Sequence, residues 1–136
     1  MMNDIETKGE NKMREILFRG KRVDNGEWVY GLLARTSTDV SNIVEKKFDI
    51  LTPVYTNTVG QYTGLTDKNG KKIFEGDIVF KRTYQGKKPM NVYFASGQFT
   101  CGVGGGSSTP SHYYTLDDKQ VEIIGNVFDN PELMKE

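Results

Sequence analysis

The sequence predicts a small all-β protein, and three observations carry that prediction. The chain contains seven Phe, seven Tyr and one Trp, and aromatic side chains suit a half-buried pleated sheet. Glycine is frequent, with 15 copies, and short apolar alternations recur along the chain in place of long helical periods. A length of 136 residues fits one domain, which buries roughly two thirds of the surface of its unfolded chain. We therefore expect one core and few or short helices.

The first residues are predicted to lie outside the folded unit. Residues 1–12 carry mixed charges and a single large aliphatic side chain, Ile5. So little apolar surface does not offset the entropy lost when a segment is ordered. We therefore expect a flexible tail over residues 1–12 and a single β-rich domain over residues 13–136.

A hairpin is predicted at the start of this domain. Ile16 and Phe18 begin a strand-like alternation, turn residues follow over 20–26, and a second strand-like run covers 28–33. These two runs are expected to pair with each other.

A loop and a short strand are predicted next. Residues 36–42 are a polar stretch without a regular period. Residues 48–51 (FDIL) contain three apolar side chains and form a strand in this prediction. That strand is expected to end at Pro53, because proline has no N–H to donate to a strand ladder.

Two tight turns are predicted in the middle of the chain. Residues 67–70 (DKNG) contain Asn-Gly, a pair that favours positive φ and is typical of hairpin turns. Strand-like runs flank this turn on both sides. Ser96-Gly97 predicts a second turn, between the apolar run 90–94 and Phe99.

The last third of the chain begins with a Gly- and Ser-rich stretch, residues 102–110, which is predicted to be a mobile loop. Tyr113-Tyr114 and residues 121–128 supply the last predicted strands. A short helical turn is predicted over residues 130–135, because Pro131 suits the first position of a helix.

Charge and cysteine content limit the classes of function. The 18 basic and 18 acidic residues cancel, so no global field attracts the chain to nucleic acid or to an anionic membrane. Cys101 is the only cysteine, which excludes an internal disulfide, and no glycosylation sequon or apolar signal segment is present. No apolar run approaches the roughly 18 residues that cross a bilayer. We expect a cytoplasmic protein without a membrane span.

Five segments in a fixed order carry a resemblance to a known family. They are residues 13–16 (MREI), Phe18-Arg19, residues 60–70 (GQYTGLTDKNG), residues 73–79 (IFEGDIV) and residues 121–133 (VEIIGNVFDNPEL). Together they resemble the YopX family of phage and prophage proteins, over about residues 13–133. The central segment that ends in residues 75–79 (EGDIV) is far more specific than a short glycine motif.

The resemblance implies a β-rich fold with an SH3-like barrel component, encoded in mobile elements of a bacterial host. It implies neither an established activity nor assigned catalytic residues. On this basis the expected parts are an N-terminal β part over about residues 13–59, a barrel part over about 60–128 and the helical turn over 130–135. The resemblance leaves the mechanism open.

A calcium site is the first chemical candidate, but the spacing of its potential ligands does not match a calcium-binding loop. Residues 67–70 followed by Glu75 and Asp77 resemble the opening of an EF-hand loop. The glycine arrives two residues early, however, and Ile78 stands where the loop needs its twelfth-position Glu. Glu75 and Asp77 can also be considered as an acid/base pair, but carboxylates before a strand commonly accept backbone N–H bonds. We expect no metal, no cofactor and no catalytic residue.

Two further candidates are weak. Residues 102–107 are glycine-rich but lack the Lys-Ser/Thr of a phosphate-binding loop. Cys101 and His112 can form a nucleophilic pair only if His112 folds back over that loop. Cys101 is better explained as a small core residue.

One stretch can bind a polyanion. Residues 68–88 hold seven basic and two acidic side chains, a balance of +5, with Phe74, Phe80 and Tyr84 among them. Basic groups and exposed aromatics together bind single strands. The alternative is that the aromatics face the core and the cations protect solvated strand edges. The candidate contacts are Lys71, Lys72, Lys81, Arg82, Lys87 and Lys88.

Three hypotheses follow. The first is an accessory phage protein that acts by binding a host or phage protein, or another copy of itself. The second is a nucleic-acid-binding module that uses the basic stretch. The third is an enzyme that uses Asp77, His112 or Cys101, and no set of residues supports a reaction for it.

Overall fold

A computed structural model describes residues 15–102, 113–116 and 120–134. These residues form eleven strands and two short 3₁₀ helices, Thr56–Thr58 and Pro131–Met134. The strands are β1 Phe18–Lys21, β2 Trp28–Arg35, β3 Val40–Glu45, β4 Ile50–Tyr55, β5 Gly60–Thr66, β6 Lys72–Phe74, β7 Asp77–Thr83, β8 Gly86–Ala95, β9 Gln98–Gly102, β10 Tyr113–Thr115 and β11 Glu122–Asn126. The all-β prediction is confirmed, and the predicted turn over 130–135 contains the second 3₁₀ helix. The predicted tail over residues 1–12 lies outside the described residues, as does most of the predicted loop over 102–110.

The strands form two antiparallel sheets. The first has six strands in the order β4-β3-β2-β1-β5-β6, and the second has five in the order β10-β9-β8-β7-β11. The expected barrel needs a correction: β10 and β11 lie at opposite edges of the second sheet, so the described strands form open sheets. The change of sheet falls at Glu75-Gly76, between β6 and β7. Residues 60–74, which the sequence assigned to the barrel part, therefore belong to the first sheet.

The predicted hairpins form where local turn chemistry specifies them. β1 and β2 pair from Phe18 opposite Gly31 to Lys21 opposite Trp28. At the β5–β6 turn, Gly70 has φ +82° and donates its N–H to the carbonyl of Asp67 at 2.9 Å. At the β8–β9 turn, Ser96 and Gly97 both have positive φ, at 53° and 80°, as two-residue hairpin loops require.

Two predictions in the first sheet are wrong. Residues 40–42, predicted as loop, belong to β3, and β4 continues through Pro53 to Tyr55. The carbonyl of Pro53 accepts the N–H of Val23 at 3.0 Å. Because the N and C=O of one strand residue face the same side, the Pro53 nitrogen points away from β3. The proline therefore removes no bond from the β3–β4 ladder.

The described residues form two buried apolar clusters, and the two differ in size. In the first sheet three fully or nearly buried side chains, Val29, Ile43 and Val54, form the cluster, with Phe18, Leu33 and Val59 packed against it. The larger cluster has seven such side chains: Ile73 on β6 of the first sheet, Val79, Met90, Val92 and Cys101 on the second sheet, and Leu116 and Val121 next to its edge strands. The larger cluster therefore lies mainly on the second sheet, and Ile73 on β6 connects the first sheet to it.

Candidate binding surfaces

A buried ion pair joins the two sheets. Arg19 on β1 contacts Asp77 at the start of β7, with Nη2 and Oδ1 2.9 Å apart and side chains only 7% and 4% exposed. The Arg19 guanidinium lies 4.5 Å from the Trp28 ring centroid and 4.9 Å from that of Phe74. The Phe74 N–H donates to Asp77 Oδ2 at 2.8 Å. Burial raises the pKa of Asp77, against the opposing effects of Arg19 and that N–H.

Glu75 and Gly76 fix the crossing between the sheets. Glu75 Oε1 accepts the N–H of Gln61 at 2.8 Å, and the Glu75 N–H donates to the Gln61 carbonyl at 3.0 Å. Gly76 has φ +91°, and a Cβ there would lie 3.1 Å from the ring of Phe128. Both carboxylates of the candidate acid/base pair, Glu75 and Asp77, are thus bonded to backbone N–H groups, as their position before a strand suggested.

Asp67 anchors the β5–β6 turn to the end of the chain. Its Oδ1 accepts the N–H groups of Asn69 and Lys71, both at 2.9 Å, and its Oδ2 accepts the N–H of Ile123 at 3.0 Å. Burial opposes ionisation, but these three bonds outweigh it and lower the pKa of Asp67. The carboxylate that resembled a calcium ligand is therefore occupied by backbone donors.

A second contact joins the C-terminal turn to the first sheet. Asp129 pairs with Lys21 and accepts hydrogen bonds from Trp28 Nε1 at 2.9 Å and from Asn126 Nδ2 at 3.1 Å. The bond from Lys21, followed by that from Trp28, lowers the pKa of Asp129 to about 2. The Phe128 ring packs edge-on against Trp28, with centroids 5.9 Å apart.

A cleft of about 550 Å³ opens beside the Arg19–Asp77 pair. Its apolar walls come from both sheets and are Leu17, Tyr30, Phe74 and Ile123. Its charged lining consists of Arg19, Asp77, Lys71 and Lys72. Lys72 also pairs with Glu15, with Nζ and Oε1 3.3 Å apart. The sequence analysis singled out the two lysines, but it gave Arg19 no role beyond its place in the family motif.

The structure divides the six basic candidates between two places. Lys71 and Lys72 lie at the cleft, and the other four lie on the β7–β8 hairpin. There Lys81 pairs opposite Lys88, and Arg82 opposite Lys87. Because successive strand residues point to opposite faces, these two pairs lie on different faces of the hairpin. The six residues do not form one basic surface.

The aromatic residues of the basic stretch differ in exposure. Tyr84, at the tip of the hairpin, is 92% exposed. Phe80 is half-buried and Phe74 is buried. A stacking platform beside the cations of the hairpin therefore consists of Tyr84 with part of Phe80.

Strands β2 to β4 expose an apolar surface, here called the outer face. Its apolar members are Tyr30, Leu32, Val40, Val44, Leu51, Pro53 and Tyr55, and Asn42, opposite Pro53, lies on the same side. Leu32 lies opposite Val44, and Val44 lies opposite Leu51. Leu51 is 58% exposed, and Tyr30, Leu32 and Tyr55 are each about 45% exposed. This face was not predicted from the sequence, because β3 was not assigned as a strand and its alternation places Val40 and Val44 on one side.

Of the three residues named in the enzyme hypothesis, the structure describes Asp77 and Cys101. Cys101 is buried in the second cluster, with its Sγ 3.7 Å from the Tyr114 carbonyl. His112 lies outside the described residues. Among the residues that the structure describes, no group of three His, Cys, Asp or Glu side chains is placed to hold a metal ion. Neither described 3₁₀ helix is long and apolar enough to cross a membrane.

The fold and its contacts define a protein of two open antiparallel sheets, joined by a buried Arg–Asp pair. The family described as YopX protein matches residues 17–135. The chain therefore belongs to the YopX family, as the resemblance predicted. No protein with a curated description matches the chain.

A solved structure shares this fold. It is the crystal structure of protein EF1440 from Enterococcus faecalis, which is 22% identical and aligns with a TM-score of 0.53. The match covers 90% of this chain and 100% of the other. At this identity the likeness concerns the fold alone.

Proposed function

We propose that this YopX protein is a phage or prophage accessory protein that acts by binding in the bacterial cytoplasm, without catalysis. We further propose that its outer face associates with a second copy of the chain. The observation that carries this proposal is the exposed apolar surface across three neighbouring strands. Family membership supports the mobile-element origin, and the engagement of Glu75 and Asp77 by backbone groups supports a role other than catalysis.

The outer face has the form of an interaction surface. Its members are contiguous, because Leu32, Val44 and Leu51 are direct cross-strand neighbours and Tyr30 lies two residues along β2 from Leu32. Large contiguous apolar patches are rare on monomeric soluble proteins and mark interaction sites. Each Å² of apolar surface removed from water contributes about 25 cal/mol, so contact across this face favours association.

A second copy fits this face for two reasons. An apolar surface complements itself, and a two-fold dimer places the same patch on both sides of the contact. The formal net charge is zero, so two copies approach without long-range repulsion. Self-association also leaves the cleft charges, including Lys71 and Lys72, outside the apolar contact.

Sedimentation velocity over a concentration series tests this proposal. The wild type is expected to approach twice the chain mass of 15.4 kDa. Leu51→Lys places a charge in the outer face and is expected to shift the protein to monomer. Gln85→Lys adds the same charge at the exposed β7–β8 tip and is expected to leave the dimer intact. A wild type that stays monomeric at all concentrations overturns self-association and leaves a different protein as the occupant.

Nucleic-acid binding is a second candidate, favoured by one observation. Tyr84 projects into solvent at the hairpin tip, near the exposed side chains of Arg82 and Lys87. A single exposed aromatic ring beside cations can stack one base of a single strand. The division of the basic residues between two faces and the cleft makes a long binding track unfavourable, so this candidate stands second.

The test of this candidate is retention of DNA and RNA at low ionic strength. The quadruple variant Lys81→Gln, Arg82→Gln, Lys87→Gln and Lys88→Gln is expected to weaken any complex equally for all sequences. It should also flatten the salt dependence, because phosphate contacts release counterions. If the wild type shows no salt-sensitive retention, the candidate fails. We expect that negative result, because the net charge is zero.

A further inference from the structure

We propose that the cleft beside Arg19 binds a small molecule that joins an anionic group, phosphate or carboxylate, to a flat aromatic ring. This inference does not depend on the proposed self-association. It rests on three properties of the cleft: an excess of positive charge, a buried arginine with an unused donor, and aromatic walls of suitable size.

Positive charge predominates in the cleft. Its lining contains three cationic side chains, Arg19, Lys71 and Lys72, and one carboxylate, Asp77. Glu15 reaches Lys72 from outside the lining, which leaves the ammonium group of Lys71 without an ion pair among the described residues. An anion that enters the cleft therefore meets a net positive site.

Arg19 adds a preorganised donor group to this charge. Its Nη2 donates to Asp77 and lies 3.3 Å from the Glu75 carbonyl, but its buried Nε has no acceptor in the described part of the chain. Buried donors are normally satisfied, so this nitrogen is an exception, and Arg19 itself lines the cleft. The rings of Trp28 and Phe74 hold the guanidinium in place. Its side chain therefore loses little conformational entropy when an anion binds nearby.

The walls select an aromatic ligand. Tyr30 and Phe74 meet edge-on, with ring centroids 5.5 Å apart and an interplanar angle of 63°. Leu17 and Ile123 supply aliphatic surface. Aromatic rings prefer offset or edge-on partners, so a flat ring can extend this cluster. The volume of about 550 Å³ falls within the roughly 300–1,000 Å³ typical of small-molecule sites.

The position of the cations at one place in the cleft favours a small molecule over a polymer as the ligand. A nucleic-acid strand needs a row of cations that follows its phosphates, whereas the cleft offers its cations at one place. The remaining cations of the basic stretch lie on the hairpin. One phosphate or carboxylate with an attached ring uses the cations and the walls of the cleft together.

The test is a titration followed by NMR, performed on the Leu51→Lys variant so that self-association does not interfere. One arm uses purine mononucleotides and the other uses aryl carboxylates. Inorganic phosphate is the control for the charge without the ring, and the neutral nucleoside is the control for the ring without the charge. We expect shifts at Tyr30, Phe74 and Lys71 with one of the two anionic arms. Either control should bind at least about tenfold more weakly, because the nucleoside lacks the charge-assisted bond and inorganic phosphate lacks the contacts of the ring with the walls.

Variants separate the cleft from general charge. Lys71→Gln combined with Lys72→Gln is expected to raise the dissociation constant of the binding arm about tenfold or more. Lys87→Gln combined with Lys88→Gln removes the same charge from the hairpin and should leave it unchanged. Absence of shifts at the cleft with both arms overturns the proposal, and so does equal weakening by both double variants. Neither result bears on self-association, which sedimentation measures separately.

Discussion

The two sheets of this protein differ in how they use their apolar residues. The larger buried cluster, of seven side chains, lies mainly on the second sheet, whereas strands β2 to β4 of the first sheet bury a cluster of three and expose an apolar outer face. Apolar burial is the main favourable term in folding, so the larger cluster is expected to contribute more to stability than the smaller one. The Arg19–Asp77 pair connects the two sheets.

Breaking this connection is expected to give the largest effect. Arg19→Ala leaves Asp77 buried without its cationic partner, and loss of one member of a buried pair costs about 3–5 kcal/mol. Urea unfolding measures the change. Arg22→Ala is the matched control, because Arg22 forms an exposed pair with Asp24 and should change stability little. A cost for Arg19→Ala no greater than that of the control would show that the pair does not join the sheets.

The two clusters can be compared directly with one substitution in each. Ile73 and Ile43 are both fully buried. Ile73→Ala opens a cavity in the larger cluster and is expected to cost about 2–5 kcal/mol. Ile43→Ala should cost less, because a cluster of three with partly exposed neighbours relaxes more easily around the lost volume. Equal costs in thermal or urea unfolding would contradict the difference between the two clusters.

The β5–β6 turn allows the effect of backbone strain on stability to be measured without a change in packing. Gly70 has φ +82°, and no atom lies within 4 Å of the position of an added Cβ. Gly70→Val is therefore expected to destabilise by about 1–3 kcal/mol through backbone strain without crowding. Gly70→Asn should cost less, because Asn enters the left-handed region more readily. If both variants match the wild type, the turn does not need positive φ.

The smallest predicted effect concerns pH. The pKa of Asp129 lies at about 2 against an ordinary 3.8, so the folded state favours the ionised form. The resulting stabilisation is fully present above 3.8 and is lost as the pH falls to about 2. Asp129→Asn should therefore be less stable than the wild type at neutral pH, and the gap should narrow across that acid range. A difference in stability between the two proteins that does not change with pH would show that the effect arises from packing.

Features with local causes were predictable from the sequence. The turns at Gly70 and at Ser96-Gly97 follow from residues that tolerate positive φ, and the short C-terminal helix follows from Pro131. The wrong prediction that β4 ends at Pro53 shows what local sequence does not determine. Whether Pro53 interrupts a strand depends on which neighbour its nitrogen faces, and only the pairing of β3 with β4 determines that.

The candidate sites were harder to predict because they join distant segments. Arg19 and Asp77 belong to motifs far apart in the chain, and nothing local to either predicts their contact. The separation of the basic residues onto different faces could be predicted in part from the sequence. Lys81 and Arg82 are consecutive, and on any strand consecutive side chains face opposite ways. The sequence analysis instead treated residues 68–88 as one charged surface.

Hydrogen exchange at high and low protein concentration tests the central claim most directly, because it reports on each sheet separately. Association stabilises the native state against local opening. Amides of β2 to β4 should therefore gain protection as the concentration of wild-type protein rises, and this gain should vanish in Leu51→Lys. The amides of β7 to β9 should be the better protected set at low concentration. Protection of β2 to β4 that equals that of β7 to β9 and does not change with concentration would contradict the account.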